Sequence, residues 1–186
     1  MSREQDAPNQ AITGSVREAI RLGCSAIGFT IYPGSDDALN MISNIQEMAC
    51  EAKDAGLAVV IWSYPRGGDI SKEGETAIDI VAYAAHIAAL IGAHIIKVKP
   101  PTKHIELSEA KKVYTSENIP IETLTDRIRH IKQSCFQGKR IVVFSGGAAK
   151  DKNGLINEIK ELYKGGANGS IICLLYTSPS PRDIGP

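Results

Sequence analysis

Apolar residues gather in five short runs that are rich in β-branched and aromatic side chains. The runs are Cys24 to Tyr32, Leu57 to Trp62, His94 to Lys99, Arg140 to Phe144 and Gly169 to Ile172. Continuous apolar runs of this length predict buried strands rather than half-exposed ones. Their starting positions lie 33, 37, 46 and 29 residues apart, which leaves room for a helix between each strand and the next.

The segments between these strands have apolar residues at helical spacing. The pattern is carried by Ile42, Ile45, Met48 and Ala49; by Ile78, Val81, Ala82, Ala85 and Ala89; by Leu124, Ile128 and Ile131; and by Leu155, Ile159 and Leu162. A further helix is predicted before the first strand, from Gln10 to Leu22. Glycines at 23, 56, 92 and 165–166 stand where a helix would end, a position that favours the left-handed conformation glycine adopts easily.

Strands that alternate with helices predict an α/β fold with a parallel sheet covered by helices. Two architectures fit, a barrel and an open doubly wound sheet. A complete eight-fold barrel needs ~250 residues at roughly 31 per unit, so five strands in 186 residues would form only part of one. Because a helix opens the chain with no strand before it, either the sheet is small and open, or the first strands of a barrel are absent.

The last fourteen residues differ in composition from the rest of the chain. Residues 179–186 contain three prolines, which preclude another helix, and the segment Leu174 to Asp183 resembles translated sequencing adapter. We therefore expect one domain over residues 1–172 and a non-native Ser/Pro tail over residues 173–186.

Charge and composition narrow the partners that are expected. The 21 Lys and Arg residues balance 21 Asp and Glu residues, so no overall basic field indicates a nucleic acid partner. No stretch approaches the ~18 apolar residues of a membrane span, and no signal peptide is visible. We expect a cytoplasmic protein. The four cysteines and four histidines show no metal-ligand spacing, so we expect no metal and no cofactor.

Two strands end in side chains suited to carbonyl chemistry. Alternation along each strand places Trp62 and Tyr64 on one side of the second strand, and Lys97 and Lys99 on one side of the third. Inward groups at the carboxyl ends of parallel strands meet in one pocket. A lysine must lose its proton to attack a carbonyl, and both burial and a neighbouring cation favour that loss. We expect Lys97 to be the nucleophile and Lys99, roughly 6.6 Å along the strand, its electrostatic neighbour. A solvent-facing lysine pair is the alternative.

Other groups are candidates for proton transfer and phosphate binding. Tyr64 is a candidate for moving a proton, with Trp62 shaping the pocket. The alternative, which holds for most tyrosines, is that Tyr64 is an amphipathic core residue whose hydroxyl reaches the rim. Arg66, which precedes Gly67 and Gly68, is either a phosphate ligand or part of a solvated turn.

Glycines after the fourth strand form a second candidate site for phosphate. Ser145, Gly146 and Gly147 either offer backbone N–H groups to an oxyanion or form a plain strand-to-helix turn. The turn Pro33 to Asp37 is expected to be structural. The long connection Pro100 to Pro120 is either a lid or a surface connection.

Four segments in order resemble the archaeal-type class I fructose-bisphosphate aldolases, a Schiff-base aldolase family. They are Gly28 to Ser35, Trp62 to Gly68, His94 to Lys99 and Ser145 to Gly147, and the similarity runs from about Ala11 to Ile172. The resemblance implies an eight-stranded TIM (β/α)8 barrel of which this chain holds strands four to eight, the first three being absent. It also implies that Lys97 is the Schiff-base residue, that Tyr64 is the proton donor and acceptor, and that Trp62 lines the site.

Two family features have no counterpart here: an acidic residue on the first strand, and a Gly-Arg pair after the eighth, where this chain has Cys173-Leu174. The implied activity is reversible cleavage of fructose 1,6-bisphosphate to dihydroxyacetone phosphate and glyceraldehyde 3-phosphate, a lyase reaction of glycolysis and gluconeogenesis. A phosphorylated sugar is the expected partner, and the parent enzyme is expected to be a homo-oligomer. One alternative is a related Schiff-base enzyme of aromatic precursor synthesis or signalling-sugar metabolism. Another is a non-catalytic phosphate-binding barrel fragment, marginally stable because its sheet edges are exposed.

Overall fold

A computed structural model describes residues 8–146 and 152–171, and these contain five strands and six helices. The strands are β1 (Ala26–Ile31), β2 (Ala58–Ser63), β3 (Ile95–Val98), β4 (Ile141–Ser145) and β5 (Gly169–Ile171). The helices are α1 (Val16–Arg21), α2 (Ala38–Asp54), α3 (Ile78–Leu90), α4 (Ser108–Ser116), α5 (Leu124–Ser134) and α6 (Lys152–Lys164), with a 3₁₀ turn at Gly74–Thr76. All five predicted strands are therefore present.

The five strands form one parallel sheet in the order β1-β2-β3-β4-β5. The predicted α/β fold is confirmed, and β3 is the central strand. An open doubly wound sheet reverses its strand order at a switch point, and no such reversal occurs among the described strands. Since βα crossovers are right-handed, an order that always advances in one direction places the connecting helices on a single face.

Burial alternates along the strands and distinguishes the two faces of the sheet. One face is fully buried, and its residues include Phe29, Ile31, Val59, Ile61, Ile96, Val98, Val142 and Phe144. The residues between them, including Val60, Trp62, Lys97 and Val143, are only half-buried. The helices cover the first face, so within the described chain the second face, which carries Trp62 and Lys97, is open.

The helix face is closed by small and branched side chains. Ala49 and Ala52 of α2 and Ala85 and Ala88 of α3 are fully buried, which lets these helices approach the sheet closely. The predicted glycine ends are also present; Gly92, for example, follows α3 with a φ of +105°, a conformation that would strain any other residue.

The first helix is shorter than predicted. It begins at Val16 rather than near Gln10, because the Ser15 side chain accepts a hydrogen bond from the Glu18 N–H and caps the helix there. The apolar residue Ile12 has helical spacing but lies outside the helix and is 42% exposed. The prediction of a helix from Gln10 to Leu22 was therefore wrong over its first half.

The long connection after β3 is more ordered than a loop. It contains α4, which the sequence pattern did not predict, and it is tied to the 3₁₀ turn because the Thr102 N–H donates to the Thr76 carbonyl (2.8 Å). Residues 147 and 173–186, and with them the predicted tail, lie outside the described residues. In the part of the chain that is described, no helix has the length and apolar character needed to cross a bilayer.

Candidate active site

Trp62 and Lys97 are neighbours across the sheet. The parallel register pairs Trp62 of β2 directly with Lys97 of β3, and Lys97 in turn with Val143 of β4. Paired residues of adjacent strands lie on the same face, and here that face is the open one. The indole and the ammonium thus stand side by side near the carboxyl ends of two central strands.

Tyr64 joins these two residues at the end of β2. Its backbone N–H donates to the Ile31 carbonyl (3.1 Å), which extends the ladder between β1 and β2 by one step. The Lys97 Nζ lies 5.7 Å from the centroid of the Tyr64 ring, within the range of a cation–π contact. The structure therefore brings together Trp62, Tyr64 and Lys97, as the alternation of side chains predicted.

Arg66 is held beside the same tyrosine, with 39% of its side chain exposed. The backbone N–H of Arg66 donates to the Pro33 carbonyl (3.1 Å). The guanidinium carbon of its side chain lies 5.9 Å from the centroid of the Tyr32 ring and 5.8 Å from that of the Tyr64 ring. Its Nε is buried and has no hydrogen-bond partner among the described residues. The Glu75 carboxylate, 3.8 Å away, is within ion-pair distance but too far for a hydrogen bond. Arg66 is thus held between two aromatic rings and the Glu75 carboxylate.

Glu75 is a residue of this site that the sequence analysis missed. It lies in the 3₁₀ turn with a side chain only 10% exposed, and its carboxylate is 3.1 Å from the Lys99 Nζ and 2.8 Å from the Lys72 Nζ. Lys99 is therefore a neighbour of Lys97 along the strand, as expected, but its charge is compensated. The sequence offered no signal for this pairing, because 24 residues separate the two partners.

The Glu75 carboxyl group is ionised in this setting. Burial opposes its ionisation, but the hydrogen bonds from Lys72 and Lys99 and their positive charges outweigh that effect, so the pKa of Glu75 lies below its ordinary value. One carboxylate faces the three cations of Arg66, Lys72 and Lys99. The cluster keeps a net positive charge and is suited to a phosphate dianion.

A second carboxylate fixes the loop that carries this cluster. Glu106 accepts hydrogen bonds from the Ser71 N–H (2.8 Å) and hydroxyl (2.9 Å) and contacts the His104 Nε2 (2.8 Å). These contacts hold the pKa of Glu106 below its ordinary value. The buried Asp79 in turn accepts the N–H groups of Glu106 and Leu107. The connection after β3 is therefore locked to the segment that presents Glu75.

The predicted phosphate loop Ser145 to Gly147 begins at the end of β4. Ser145 ends β4, and its hydroxyl is 3.5 Å from the Val98 carbonyl. The Gly146 N–H donates to the Ile171 carbonyl (3.0 Å), so the ladder between β4 and β5 already uses this amide, and it is not free for an oxyanion. Gly147 lies outside the described residues.

Gly28 is a second residue of this site that was not singled out. A Cβ at this position would lie 2.4 Å from Cζ3 and 2.9 Å from Cη2 of Trp62, so the indole rests directly on the backbone of β1. Within the described ranges no three His, Cys, Asp or Glu side chains gather as a metal-binding group. Cys24, Cys50 and Cys135 are free thiols.

Comparison with known proteins identifies the family to which the chain belongs. The model of the DeoC/LacD family aldolases matches residues 2–175. The chain belongs to this family. It is 48% identical over 85 residues to the class 1 fructose-bisphosphate aldolase of Thermoproteus tenax, covering 46% of this chain and 32% of that protein. It is 31% identical over 162 residues to the enzyme of the same name from Halobacterium salinarum, covering 87% and 52%.

Solved structures agree with the sequence relatives. An archaeal fructose-1,6-bisphosphate aldolase whose catalytic lysine is covalently bound to the carbinolamine intermediate of its substrate superposes with a TM-score of 0.70 at 30% identity. The superposition covers 89% of this chain and 57% of that one. The chain thus spans about half the length of the better-covered relatives and about a third of the T. tenax protein.

Proposed function

We propose that this chain carries the imine-forming half of a class I fructose-bisphosphate aldolase, with Lys97 as the Schiff-base residue. The contact between the Lys97 ammonium and the Tyr64 ring, on the open face of a parallel sheet, carries the proposal. It is supported by membership of the aldolase family and by the named aldolases that the chain resembles. The neutral Lys97 amine attacks the ketone carbon of fructose 1,6-bisphosphate, and uptake of a proton from water followed by loss of water leaves a cationic imine.

The cationic imine accepts the electron pair of the adjacent carbon–carbon bond when that bond breaks. The hydroxyl on the departing carbon gives its proton to water as glyceraldehyde 3-phosphate leaves as the aldehyde, and the enamine that remains on Lys97 needs a proton at carbon. Tyr64 supplies this proton, because its phenol is beside the Lys97 amine. Hydrolysis of the resulting imine then releases dihydroxyacetone phosphate and returns the free amine.

Substrate binding is assigned to the groups around this pair. Trp62 forms one wall, since it is paired in register with Lys97. Arg66 and Lys99 attract a phosphate, because their cluster with Glu75 and Lys72 keeps a net positive charge. Ser145 and Gly147 remain proposed contacts of the second phosphate, whereas the Gly146 amide would first have to leave its partner on β5.

We also propose that β1 to β5 correspond to strands four to eight of an eight-stranded barrel, within a domain spanning residues 1–172. The unbroken strand order supports this assignment. The helices cover only the other face of the sheet, so the face that carries Lys97 is open, as the inward face of a barrel would be. The tail 173–186 is proposed to be foreign to that domain.

A coupled assay tests the proposed activity. Cleavage of fructose 1,6-bisphosphate is followed by reduction of the dihydroxyacetone phosphate formed, with Lys97→Met as the test variant and Lys112→Met, an exposed lysine of α4, as the matched control. We expect cleavage by the unaltered chain and by Lys112→Met, and none by Lys97→Met. Cleavage that survives in Lys97→Met would contradict the assignment. Faster turnover of a different ketose phosphate would retain the imine chemistry and change the substrate.

A further inference from the structure

Glu75 lies where the substrate-binding cations meet the loop that positions them. Its carboxylate contacts Lys72, Lys99 and Arg66 at 2.8, 3.1 and 3.8 Å, although its side chain is only 10% exposed. A buried carboxylate with this many cationic partners costs desolvation, which the partners must offset. Such an arrangement holds the cationic side chains in place more strongly than an exposed ion pair does.

Lys99 needs such a partner because of its position beside Lys97. Lys99 directly follows the end of β3, two residues after Lys97, and two extended residues span roughly 6.6 Å along the chain. Two uncompensated ammonium groups at this distance would repel each other. In the structure the Lys99 Nζ is bound to the Glu75 Oε2, whereas the Lys97 Nζ lies against the Tyr64 ring.

We propose that Glu75 is a positioning residue of this site: its carboxylate holds Lys99 and Arg66 in place and compensates the Lys99 charge that Lys97 would otherwise face. Tyr64 is the titratable group in contact with Lys97, and Arg66 lies beside Tyr64. Arg66, Lys72 and Lys99 are joined to Glu75 by ion pairs.

Two substitutions change this balance in opposite directions. Glu75→Gln keeps the size of the side chain but leaves the Lys99 charge uncompensated, so the Lys97 amine should become reactive at lower pH. Lys99→Met removes a positive charge near Lys97 while Glu75 keeps Lys72 as its partner, so the Lys97 ammonium should be stabilised and the amine should become reactive at higher pH. For a unit charge at this distance, each shift should be about 0.5–2 pH units, depending on how strongly solvent screens it.

Site-resolved labelling measures these shifts without requiring turnover. The chain is pulsed with trace acetic anhydride between pH 6 and 11, and mass spectrometry of its peptides gives the pH of half-maximal labelling at Lys97, with Lys112 as an internal reference. Glu122→Gln is the matched control, because Glu122 forms an exposed pair with Lys103 (2.6 Å) elsewhere on the surface. It should leave the labelling of Lys97 unchanged.

Opposite shifts in Glu75→Gln and Lys99→Met would support the proposal, since a general loosening of the fold would move both variants toward the value of an exposed lysine. An unchanged Lys97 midpoint in Glu75→Gln, or shifts of the same sign in both variants, would overturn it. If Glu75→Gln fails to fold, the double variant Glu75→Gln/Lys99→Met decides: its Lys97 midpoint should lie below that of Lys99→Met, and equal midpoints would contradict the role of Glu75.

The catalytic relevance of Glu75 rests on the proposed function, whereas the labelling experiment does not depend on it. Incubation with dihydroxyacetone phosphate and borohydride, run in parallel, reports whether Lys97 forms an imine at all. No adduct in the unaltered chain would refute the aldolase proposal while the labelling shifts still report on Glu75. An adduct that forms without any labelling shift in Glu75→Gln would refute the role of Glu75 alone.

Discussion

Adding one methyl group at Gly28 should displace the wall of the proposed site. In Gly28→Ala the new Cβ would lie 2.4 Å from Cζ3 of Trp62, whereas ordinary contact begins at 3.4 Å. The indole must therefore move by about 1 Å to regain ordinary contact. The φ of Gly28 is not positive, so alanine is compatible with the backbone and the effect falls on the ring.

Two opposing effects set the expected change in the free energy of unfolding of Gly28→Ala. Overpacking destabilises the fold by about 1–3 kcal/mol. Alanine also reduces the conformational freedom of the unfolded chain, which stabilises the fold by about 0.4–1 kcal/mol. We therefore expect a net destabilisation of about 0.5–2 kcal/mol. A displacement of about 1 Å beside the reacting groups lowers a rate by up to ~100-fold. The rate of imine formation should therefore change by a larger factor than the equilibrium constant of unfolding.

Intrinsic fluorescence is a selective assay, because Trp62 is the chain's single tryptophan. Gly28→Ala should shift its emission, lower the midpoint of urea unfolding and slow trapping of dihydroxyacetone phosphate by borohydride. Gly169→Ala is the control, since its Cβ would make only an ordinary 3.5 Å contact with Val143. Unchanged emission and trapping in Gly28→Ala would refute the conclusion that the indole rests on this glycine and shapes the site.

Acid should weaken the fold through carboxylates bound by hydrogen bonds. The pKa values of Glu75 and Glu106 are lowered in the folded state, so their stabilisation is present above the ordinary value of 4.5 and is lost as pH falls through the folded values. Melting temperature measured from pH 6 to 3 should decline, and less steeply in Glu75→Gln; equal slopes would count against this origin. Asp79→Asn should cost about 1–3 kcal/mol in urea unfolding, because one amide oxygen cannot accept both the Glu106 and Leu107 N–H groups. Asp36→Asn, at an exposed position, should cost little, and an equal loss in both variants would be contrary evidence.

Local patterns were sufficient to predict the strands and the face of each catalytic candidate. The period of two in a strand places Trp62 beside Tyr64 and Lys97 beside Lys99 on one face, and the register of the sheet then brings the two pairs together. The end of each helix was visible because glycine is the residue that adopts a positive φ at lowest cost. These features depend on neighbours in sequence, so sequence alone revealed them.

Features that depend on distant neighbours were not predictable in this way. Glu75 stands in a polar segment that resembles any surface turn, and only the fold brings it to Lys99. The Gly146 amide appeared free until β5 was placed beside it. The start of α1 was misplaced because the spacing of Ile12 outweighed the Ser15 cap in the sequence interpretation.

The central claim is that Lys97, and not its neighbour on the same strand, forms the imine. The direct measurement is peptide mapping after the chain is incubated with dihydroxyacetone phosphate and reduced with borohydride. We predict that the added mass lies on Lys97, is absent in Lys97→Met and persists in Lys99→Met. An adduct found on Lys99, or one that survives in Lys97→Met, would contradict the account.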